Sequence, residues 1–448
     1  MKNQSKTIVT AALLATHLSA LDVEVAVEPC ENVALLSGDQ FPGKLFGISV
    51  GVSSELLVVG NPDDNNGATT TGAGAVYVFE RDSVGTPEPD DDTWAFVEKV
   101  APAAASTDNF FGSALAVDGA NMLIGAPGHD GDIGTVYLYD PTDFVDAFPV
   151  TEEGNLVPSD GGVPGEAKCF GCAVDLDGPV AIIGADEDSG GFGSAYVFVD
   201  GGPGFGETQK LVPTDFPNSP AERMYFGASV AVSGAWAVIG APGFARGQGS
   251  AALYRFDGAT WLPMTVLLPD EGRRENLSFG TSVAIDGNTL MVGAPGYGAY
   301  QRAPTGAVYV FQRTGPETWT PIDILAPIGP LSPVRRDILG SSIAMVGDQA
   351  LFGAPGIVGA VGSVFAYERT GGFPNPWVPS GHLVPPGAQP GERFGYAVAL
   401  SGDAIAIGAP FKGANEGMVY TYSYSCGTVI TGGARSADES QARQSRGQ

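Results

Sequence analysis

The stretch FGSALAVDGANMLIGAP, residues 111–127, decides the fold of this 448-residue chain. After the opening Phe-Gly pair, the residues from Ser113 to Val117 alternate in the period of two that is typical of a β-strand. Asp118-Gly119 is a dipeptide that tight type I′ turns prefer, because both central residues of such a turn need positive φ. An apolar run follows, and Pro127 ends it where a strand no longer needs a backbone donor. The stretch therefore predicts two short antiparallel strands joined by a tight turn.

The same unit occurs seven times along the chain. Its Phe-Gly pair, or Leu-Gly in the sixth unit, begins at residues 46, 111, 170, 226, 279, 339 and 394. A Gly-Ala-Pro-like element begins 14 residues later in every unit, at residues 60, 125, 184, 240, 293, 353 and 408. Seven occurrences of one spacing predict seven copies of one structural unit.

Each unit continues with further strand patterns. The third strand opens with glycine and carries an aromatic residue, as in Gly134–Tyr137, and the fourth ends in a sequence such as Leu156–Pro158. The mean spacing of 58 residues suits one four-stranded antiparallel propeller blade. A solenoid would need polar capping repeats, whereas the end units here look like the others. We therefore predict an all-β, seven-bladed β-propeller over residues 31–426.

These motifs resemble the FG-GAP repeat family, which includes the integrin α-subunit propeller and many bacterial exported proteins. The resemblance covers nearly the whole predicted propeller. In integrin-like repeats a calcium loop of Asp-x-Asp-x-Asp-Gly type lies between the Phe-Gly and Gly-Ala-Pro elements. The offset of 14 residues leaves room only for a tight hairpin in this chain, and no unit has three acids there. The family's calcium sites are therefore not carried over, and we expect no required cofactor.

Charge and the two termini indicate where the chain acts. Its 50 acids against 22 bases give a net charge of −28, which argues against nucleic acid and anionic membrane surfaces as partners. Residues 1–20 resemble a signal peptide with a short apolar segment, although a disordered arm is an alternative. Residues 427–448 are polar and are predicted to be a disordered tail. We expect a secreted or cell-surface, monomeric protein without membrane insertion.

The cysteines bear on ring closure and on the third unit. The seventh unit has three strand patterns, and residues 32–37 match the missing fourth, so this segment should pair beside residues 419–425 and close the ring. Cys30 and Cys426 would then be neighbours, which predicts a disulfide, with two unpaired thiols as the alternative. Cys169 and Cys172 flank the third Phe-Gly pair. A local structural disulfide, free thiols and a redox pair are the alternatives there; a redox pair needs a helix N-terminus that a strand does not supply.

One face of the ring should gather most functional side chains. Antiparallel order places the loops between second and third strands on the same face as the loops that lead into the next blade; we call this the loop face. Acids cluster there in the first three blades and could bind calcium, although solvated loop acids would look the same. The candidate metal ligands are Asp63, Asp64, Asp130, Asp132, Asp186 and Asp188.

Bases and aromatic residues collect on the loop face of blades four to seven. Arginine supplies bidentate hydrogen bonds and aromatic rings supply stacking, so we hypothesise that this half binds an anionic or carbohydrate-like partner. The candidate ligand-binding residues are Arg223, Tyr225, Arg246, Arg273, Arg274, Tyr297, Tyr300, Arg302, Arg335, Arg336, Arg393 and Lys412.

Catalytic patterns are poorly supported by the sequence. Residues 47–51 match Gly-x-Ser-x-Gly, but that motif needs a strand-to-helix elbow and here it begins a blade. The chain has 3 histidines, so a Ser–His–Asp arrangement is hard to build. We therefore predict a non-catalytic binding or adhesion scaffold for an extracellular protein, glycan or matrix component. A carbohydrate-active hydrolase or lyase and a purely structural surface module are the alternatives.

Overall fold

The structure is a computed structural model. It describes residues 33–35, 45–65, 71–82, 93–102, 107–118, 121–140, 152–161, 168–202, 204–213, 223–269, 276–298, 305–326, 337–356, 361–371, 377–385, 387, 389–402 and 404–423. These residues form seven four-stranded antiparallel sheets, which confirms the predicted seven-bladed propeller. None of the helices among them has the length and apolarity that a bilayer crossing requires.

The first three blades contain strands β2 to β13. Blade one consists of β2 (Val50–Val52), β3 (Leu56–Asn61), β4 (Ala75–Asp82) and β5 (Thr93–Val100). Blade two consists of β6 (Ala114–Asp118), β7 (Asn121–Ala126), β8 (Thr135–Tyr139) and β9 (Gly154–Leu156). Blade three consists of β10 (Ala173–Asp177), β11 (Val180–Ala185), β12 (Ser194–Asp200) and β13 (Phe205–Leu211).

Strands β14 to β25 form the next three blades. Blade four consists of β14 (Ser229–Ser233), β15 (Trp236–Ala241), β16 (Ser250–Phe256) and β17 (Trp261–Leu267). Blade five consists of β18 (Val283–Asp286), β19 (Thr289–Ala294), β20 (Ala307–Arg313) and β21 (Trp319–Leu325). Blade six consists of β22 (Ser342–Val346), β23 (Gln349–Ala354), β24 (Ser363–Arg369) and β25 (Trp377–Leu383).

Blade seven takes its strands from both ends of the described chain. It consists of β26 (Ala397–Ser401), β27 (Ala404–Ala409), β28 (Met418–Ser423) and β1 (Val33–Leu35), with β1 next to β28 at the outer edge. The pairing is antiparallel and places Ala34 opposite Tyr420. The four short helical turns lie between second and third strands: α1 (His129–Asp132), α2 (Asp188–Gly191), α3 (Phe244–Gly247) and α4 (Lys412–Asn415).

The first strand of each blade lies at the inner edge of its sheet. Each of these strands contacts the first strands of both neighbouring blades, and β2 contacts β26, so the seven inner strands form a complete ring. Small residues suit this crowded position. Asp175 is an exception, because the equivalent position holds alanine or glycine in the other six blades: Gly51, Ala116, Ala231, Ala284, Ala344 and Ala399.

The hydrophobic core lies between neighbouring blades. Val58 and Val76 of blade one, for example, share a buried cluster with Ile124 and Tyr137 of blade two. The aromatic ring of each of the six Phe-Gly phenylalanines is fully buried and meets a tyrosine of the third strand edge-on, as Phe46 meets Tyr77 at a centroid separation of 5.3 Å. The repeated motif is therefore the element that anchors each blade in the core.

Side-chain carboxylates link several inner turns on the face opposite the loop face. The backbone N–H of Gly178 donates to Asp118, that of Gly234 donates to Asp177 and that of Gly347 donates to Asp286. In each case the aspartate lies in one blade and the glycine in the next. The Asp-Gly turns that the sequence favours for hairpins therefore also join neighbouring blades.

Candidate binding face

The loop face has one backbone conformation repeated in all seven blades. The residue directly before each Phe-Gly or Leu-Gly pair has a φ between 52° and 56°, in the left-handed region that residues other than glycine rarely adopt. In most blades the N–H three residues later donates to the carbonyl of this residue, as Tyr396 donates to Arg393 at 3.1 Å. These seven residues are Leu45, Phe110, Cys169, Tyr225, Ser278, Ile338 and Arg393.

The seven left-handed positions hold side chains that differ in chemistry, although their neighbours are nearly constant. Apolar, aromatic, hydroxyl and guanidinium groups and one disulfide sulfur all occur, while the next two residues are Phe-Gly in six blades. Left-handed backbone at a non-glycine residue costs about 1–2 kcal/mol and is common where a side chain must be aimed at a ligand. The loop face thus carries one variable side chain per blade in a fixed frame.

Blade seven combines a cation with two aromatic rings at this level. The Arg393 guanidinium lies over the Phe411 ring, 4.6 Å from its centroid. Phe411 in turn meets Tyr396 at a centroid separation of 6.0 Å and an interplanar angle of 68°. Tyr396 is 38% exposed, which is high for an aromatic residue of this fold. The arrangement therefore places a guanidinium, which can donate hydrogen bonds, beside two aromatic rings that meet at an angle.

A partly buried ion pair is formed by the residues next to Arg393 and Phe411 in the chain. Lys412 contacts both carboxylate oxygens of Glu392 at 3.1 Å, and its ammonium lies 5.5 Å from the Tyr420 ring centroid. Burial disfavours the charged form of Lys412, but hydrogen bonds to Tyr420 and Glu392 outweigh it and raise the pKa of the lysine. Lys412, predicted to bind a ligand, is thus already paired with Glu392.

Blade three contains a larger polar network in the equivalent place. Lys210 bridges Asp160 and Asp188 at 2.7 Å each, and Lys168 contacts Asp160 at 2.8 Å. The Tyr196 hydroxyl donates to Asp160 at 3.1 Å. Burial opposes ionisation of Asp160, but hydrogen bonds from Lys168 and Lys210 outweigh it and lower its pKa to about 2. The carboxylates of Asp160 and Asp188 are therefore already paired with the ammonium groups of Lys168 and Lys210.

Blade one repeats this arrangement on a smaller scale. The Asp64 carboxylate is fully buried, accepts a hydrogen bond from the Tyr77 hydroxyl at 2.6 Å and contacts Lys99 at 2.9 Å. Two of the candidate metal ligands, Asp64 and Asp188, thus face lysine ammonium groups and hydroxyl donors. These contacts fill coordination positions that a cation would use.

The remaining candidate metal ligands are spread over three loops. Asp130 and Asp132 are exposed, and burial followed by repulsion from Asp108 raises the pKa of Asp63. Burial and the neighbouring Glu187 raise the pKa of Asp186 to about 6. The prediction of a calcium site on these loops stays a prediction.

Cys169 and Cys172 form a disulfide with a Cα–Cα separation of 5.5 Å. The tight turn at Gly171 brings them within bonding distance, so of the alternatives the local disulfide is the one present. Among the described residues, these two sulfurs and a carboxylate oxygen of Asp186 are the one set of three potential ligand atoms within 4.8 Å of one another. Cys30 and Cys426 lie outside the described residues.

The structure describes half of the residues predicted to bind a ligand. Arg223 is 62% exposed and lies 3.7 Å from Glu187, and Tyr297 packs against Tyr309 at a centroid separation of 6.3 Å. Tyr225 and Arg246 both have positive φ and lie in blade four. The other candidates lie outside the described residues: Arg273, Arg274, Tyr300, Arg302, Arg335 and Arg336.

Tyr396 is a candidate binding residue that the sequence analysis does not name, although the sequence contains a signal for it. It stands two residues after the Phe-Gly phenylalanine, a position that carries smaller or non-aromatic residues in every other blade: Ile48, Ser113, Cys172, Ala228, Thr281 and Ser341. Aligning the seven units at this position, rather than searching loops for charge, would have identified it.

Comparison with known proteins gives a family and a fold. A family model described as FG-GAP repeat matches residues 31–79, 94–139, 150–198, 205–256, 261–311 and 377–422. Among solved structures, the β-propeller domain of Cps50 (Swd1) from Myceliophteria thermophila is similar, with a TM-score of 0.51 and 11% sequence identity over 88% of this chain and 99% of that one. At this identity the likeness concerns the fold alone. No curated protein matches the chain.

Proposed function

Because the chain belongs to the FG-GAP repeat family, we propose that it is a non-catalytic binding scaffold, exported or held at a cell surface, whose loop face recognises an extracellular protein, glycan or matrix component. FG-GAP propellers commonly serve as protein-interaction scaffolds. The rigid ring would hold the loops in place, so that a partner would meet a surface organised before binding.

The observation that carries this proposal is the ring of seven left-handed residues on the loop face. Each blade aims a different side chain from the same backbone position, and the surrounding Phe-Gly frame is nearly invariant. A purely structural module would have little reason to keep a costly conformation and vary its side chain. A recognition surface would account for that combination.

Two features support an extracellular location. The first 20 residues have the pattern of an export signal. The Cys169–Cys172 disulfide suits an oxidising compartment, because cytosolic thiols are usually kept reduced.

The proposal is tested by capture of partners with two variants of equal charge change. The first replaces by serine four arginines that the sequence predicts to lie on the loop face: Arg273, Arg274, Arg335 and Arg336. The second replaces Arg81, Arg255, Arg313 and Arg369, which lie at the ends of third strands toward the opposite face. We expect the native chain and the second variant to bind the same components on a glycan and matrix-protein array, and the first to lose them.

Other outcomes of this test would select the alternatives. Equal binding by both variants would refute recognition through the loop face. Release of sugar products from a polysaccharide on the array, abolished by EDTA, would instead identify a metal-dependent carbohydrate-active enzyme. An array without bound components, together with recovery in an envelope assembly, would indicate a structural module.

A further inference from the structure

Blade seven departs from the repeat at three equivalent positions of the loop face. The residue after the Gly-Ala-Pro-like element is phenylalanine at position 411, whereas the other blades have glycine or an acid there: Asp63, Gly128, Glu187, Gly243, Gly296 and Gly356. Blade seven is also the one with an aromatic residue, Tyr396, two positions after the Phe-Gly phenylalanine, and with a cation, Arg393, before it. Positions 396 and 411 are non-aromatic in the other six blades and position 393 varies from blade to blade, so this combination of residues occurs in blade seven alone.

The three side chains form one surface cluster. Arg393 stacks on Phe411, and Phe411 meets Tyr396 at an angle of 68°. Within the described part of the chain, the Arg393 guanidinium stacks on the Phe411 ring, and the arginine side chain is partly exposed. Stacking holds the guanidinium in place without using its N–H groups.

The carboxylate that precedes Arg393 in the chain already has a partner. The adjacent carboxylate, Glu392, is buried and is held by Lys412 through both oxygens. The cluster therefore consists of one cation stacked on Phe411, with the Tyr396 ring in contact with the same phenylalanine.

We propose that the cluster of Arg393, Tyr396 and Phe411 binds a carboxylated sugar, a uronic acid unit of a glycan. A guanidinium binds a carboxylate through two parallel hydrogen bonds along its edge, and the stacking on Phe411 uses the face of the Arg393 guanidinium rather than that edge. The exposed Tyr396 ring offers an apolar face for the C–H surface of the pyranose and a hydroxyl for its polar groups. An extended acidic peptide would use the guanidinium but would leave the corner between the two rings unfilled. The inference rests on the proposed function and names the ligand class for one part of the loop face.

The test uses variants that take residues from equivalent positions of other blades. Arg393→Ser takes the residue of blade five, Tyr396→Ser that of blades two and six, and Phe411→Gly that of blades two, four, five and six. Arg313→Ser removes an arginine that likewise stacks on an aromatic ring, that of Trp236, toward the opposite face, and serves as the control. Calorimetric titration would use trimers of galacturonate, glucuronate and mannuronate, neutral galactotriose, and a triglutamate peptide.

We expect at least one uronate trimer to bind the native chain and the Arg313→Ser variant equally. Loss of the guanidinium or of either ring should weaken binding about tenfold or more. Galactotriose and triglutamate should bind much more weakly than the uronate. Absence of binding by all three uronates, equal binding of triglutamate, or unchanged affinity in the three variants would overturn the assignment. If the array of the preceding section still shows loop-face binding, the failure concerns this cluster and not the scaffold function.

Discussion

Phe46 forms a parallel bridge with Gly417, so the first blade is joined to the last by backbone contact. The same bridge joins every other pair of neighbouring blades, for instance Gly74 with Phe111 and Gly134 with Phe170. Each Phe-Gly element thus lies against the glycine that opens the third strand of the preceding blade. One motif performs two tasks, because its aromatic ring fills the core while its backbone holds the adjacent blade.

The first prediction concerns the glycine in that bridge. A side chain at Gly417 would collide with the Phe46 backbone, and the residue has a φ of 83°. We expect Gly417→Ala to lower the free energy of unfolding by roughly 3 kcal/mol or more, because neither backbone can move without opening the ring. Chemical denaturation followed by tryptophan fluorescence would measure this loss.

Gly131 supplies the matched control for that substitution. It also has a positive φ, 72°, but has open space where a Cβ would lie. Gly131→Ala should therefore cost about 1 kcal/mol, the conformational part alone. Equal losses in the two variants would show that the collision with the Phe46 backbone adds nothing to the cost of the Gly417→Ala substitution.

The second prediction concerns the low-pH stability of blade three. Burial opposes ionisation of Asp188, but hydrogen bonds from Lys210 and Ser194 outweigh it and lower its pKa. A lowered folded-state pKa stabilises the fold above the ordinary carboxyl value and loses that effect as pH falls below it. We expect Asp188→Asn to be less stable than the native chain by about 2 kcal/mol at neutral pH and by much less near pH 2.

Denaturation curves across the acid range would measure this difference. Asp130→Asn, in an exposed turn of blade two, changes the same charge without a buried partner and should leave the native pH profile intact. A stability difference for Asp188→Asn that stays constant down to pH 2 would contradict the assigned ion pair.

The blade count and strand order follow from the sequence because they depend on periodicity. The Phe-Gly to Gly-Ala-Pro spacing repeats without error, and a Phe at one end of a hairpin must lie at the same level in every blade. The loop face follows as well, since antiparallel order alone decides which loops share a side. These features require no knowledge of individual contacts.

The polar networks do not follow from the same reasoning. Lys168 and Lys210 lie 42 residues apart in the chain and meet at Asp160 and Asp188 because two loops and a fourth strand converge. The sequence shows acids clustered in these loops and therefore predicts metal ligands there. The lysines that pair with the acids lie elsewhere in the chain, so the clustering does not show them. Side-chain partners of this kind depend on loop paths, which strand periodicity leaves open.

The third prediction concerns Cys30 and Cys426, which lie outside the described residues. If residues 32–37 complete blade seven, the two cysteines would flank paired strands and form a disulfide. The chain-entropy model gives about 4–5 kcal/mol, as an upper value, for a loop of this size. Peptide mapping of the oxidised protein should find the linked peptides, and detection of both thiols free would refute the disulfide.

The fourth prediction concerns Asp175, the acid on the inner ring where other blades have alanine or glycine. Its carboxylate accepts the Val232 backbone N–H at 2.7 Å. Burial raises its pKa to about 7, and repulsion from Asp177 and Asp118 adds to the effect of burial, while the backbone hydrogen bonds oppose it. The folded chain therefore holds a proton that the unfolded chain releases between the ordinary carboxyl value and neutrality. Stability should fall as pH rises through this window.

Asp175→Asn would remove that penalty while keeping an oxygen that can accept from Val232. We expect the variant to exceed the native chain in unfolding free energy by about 2 kcal/mol at pH 8, and to match it near pH 4 where the native carboxyl is protonated. Asp175→Ala should gain less, because the Val232 N–H would lose its acceptor. Denaturation curves at several pH values would measure all three proteins. Parallel pH profiles for the native chain and Asp175→Asn would show that Asp175 is ionised in the folded ring, and that the inner strands tolerate its charge.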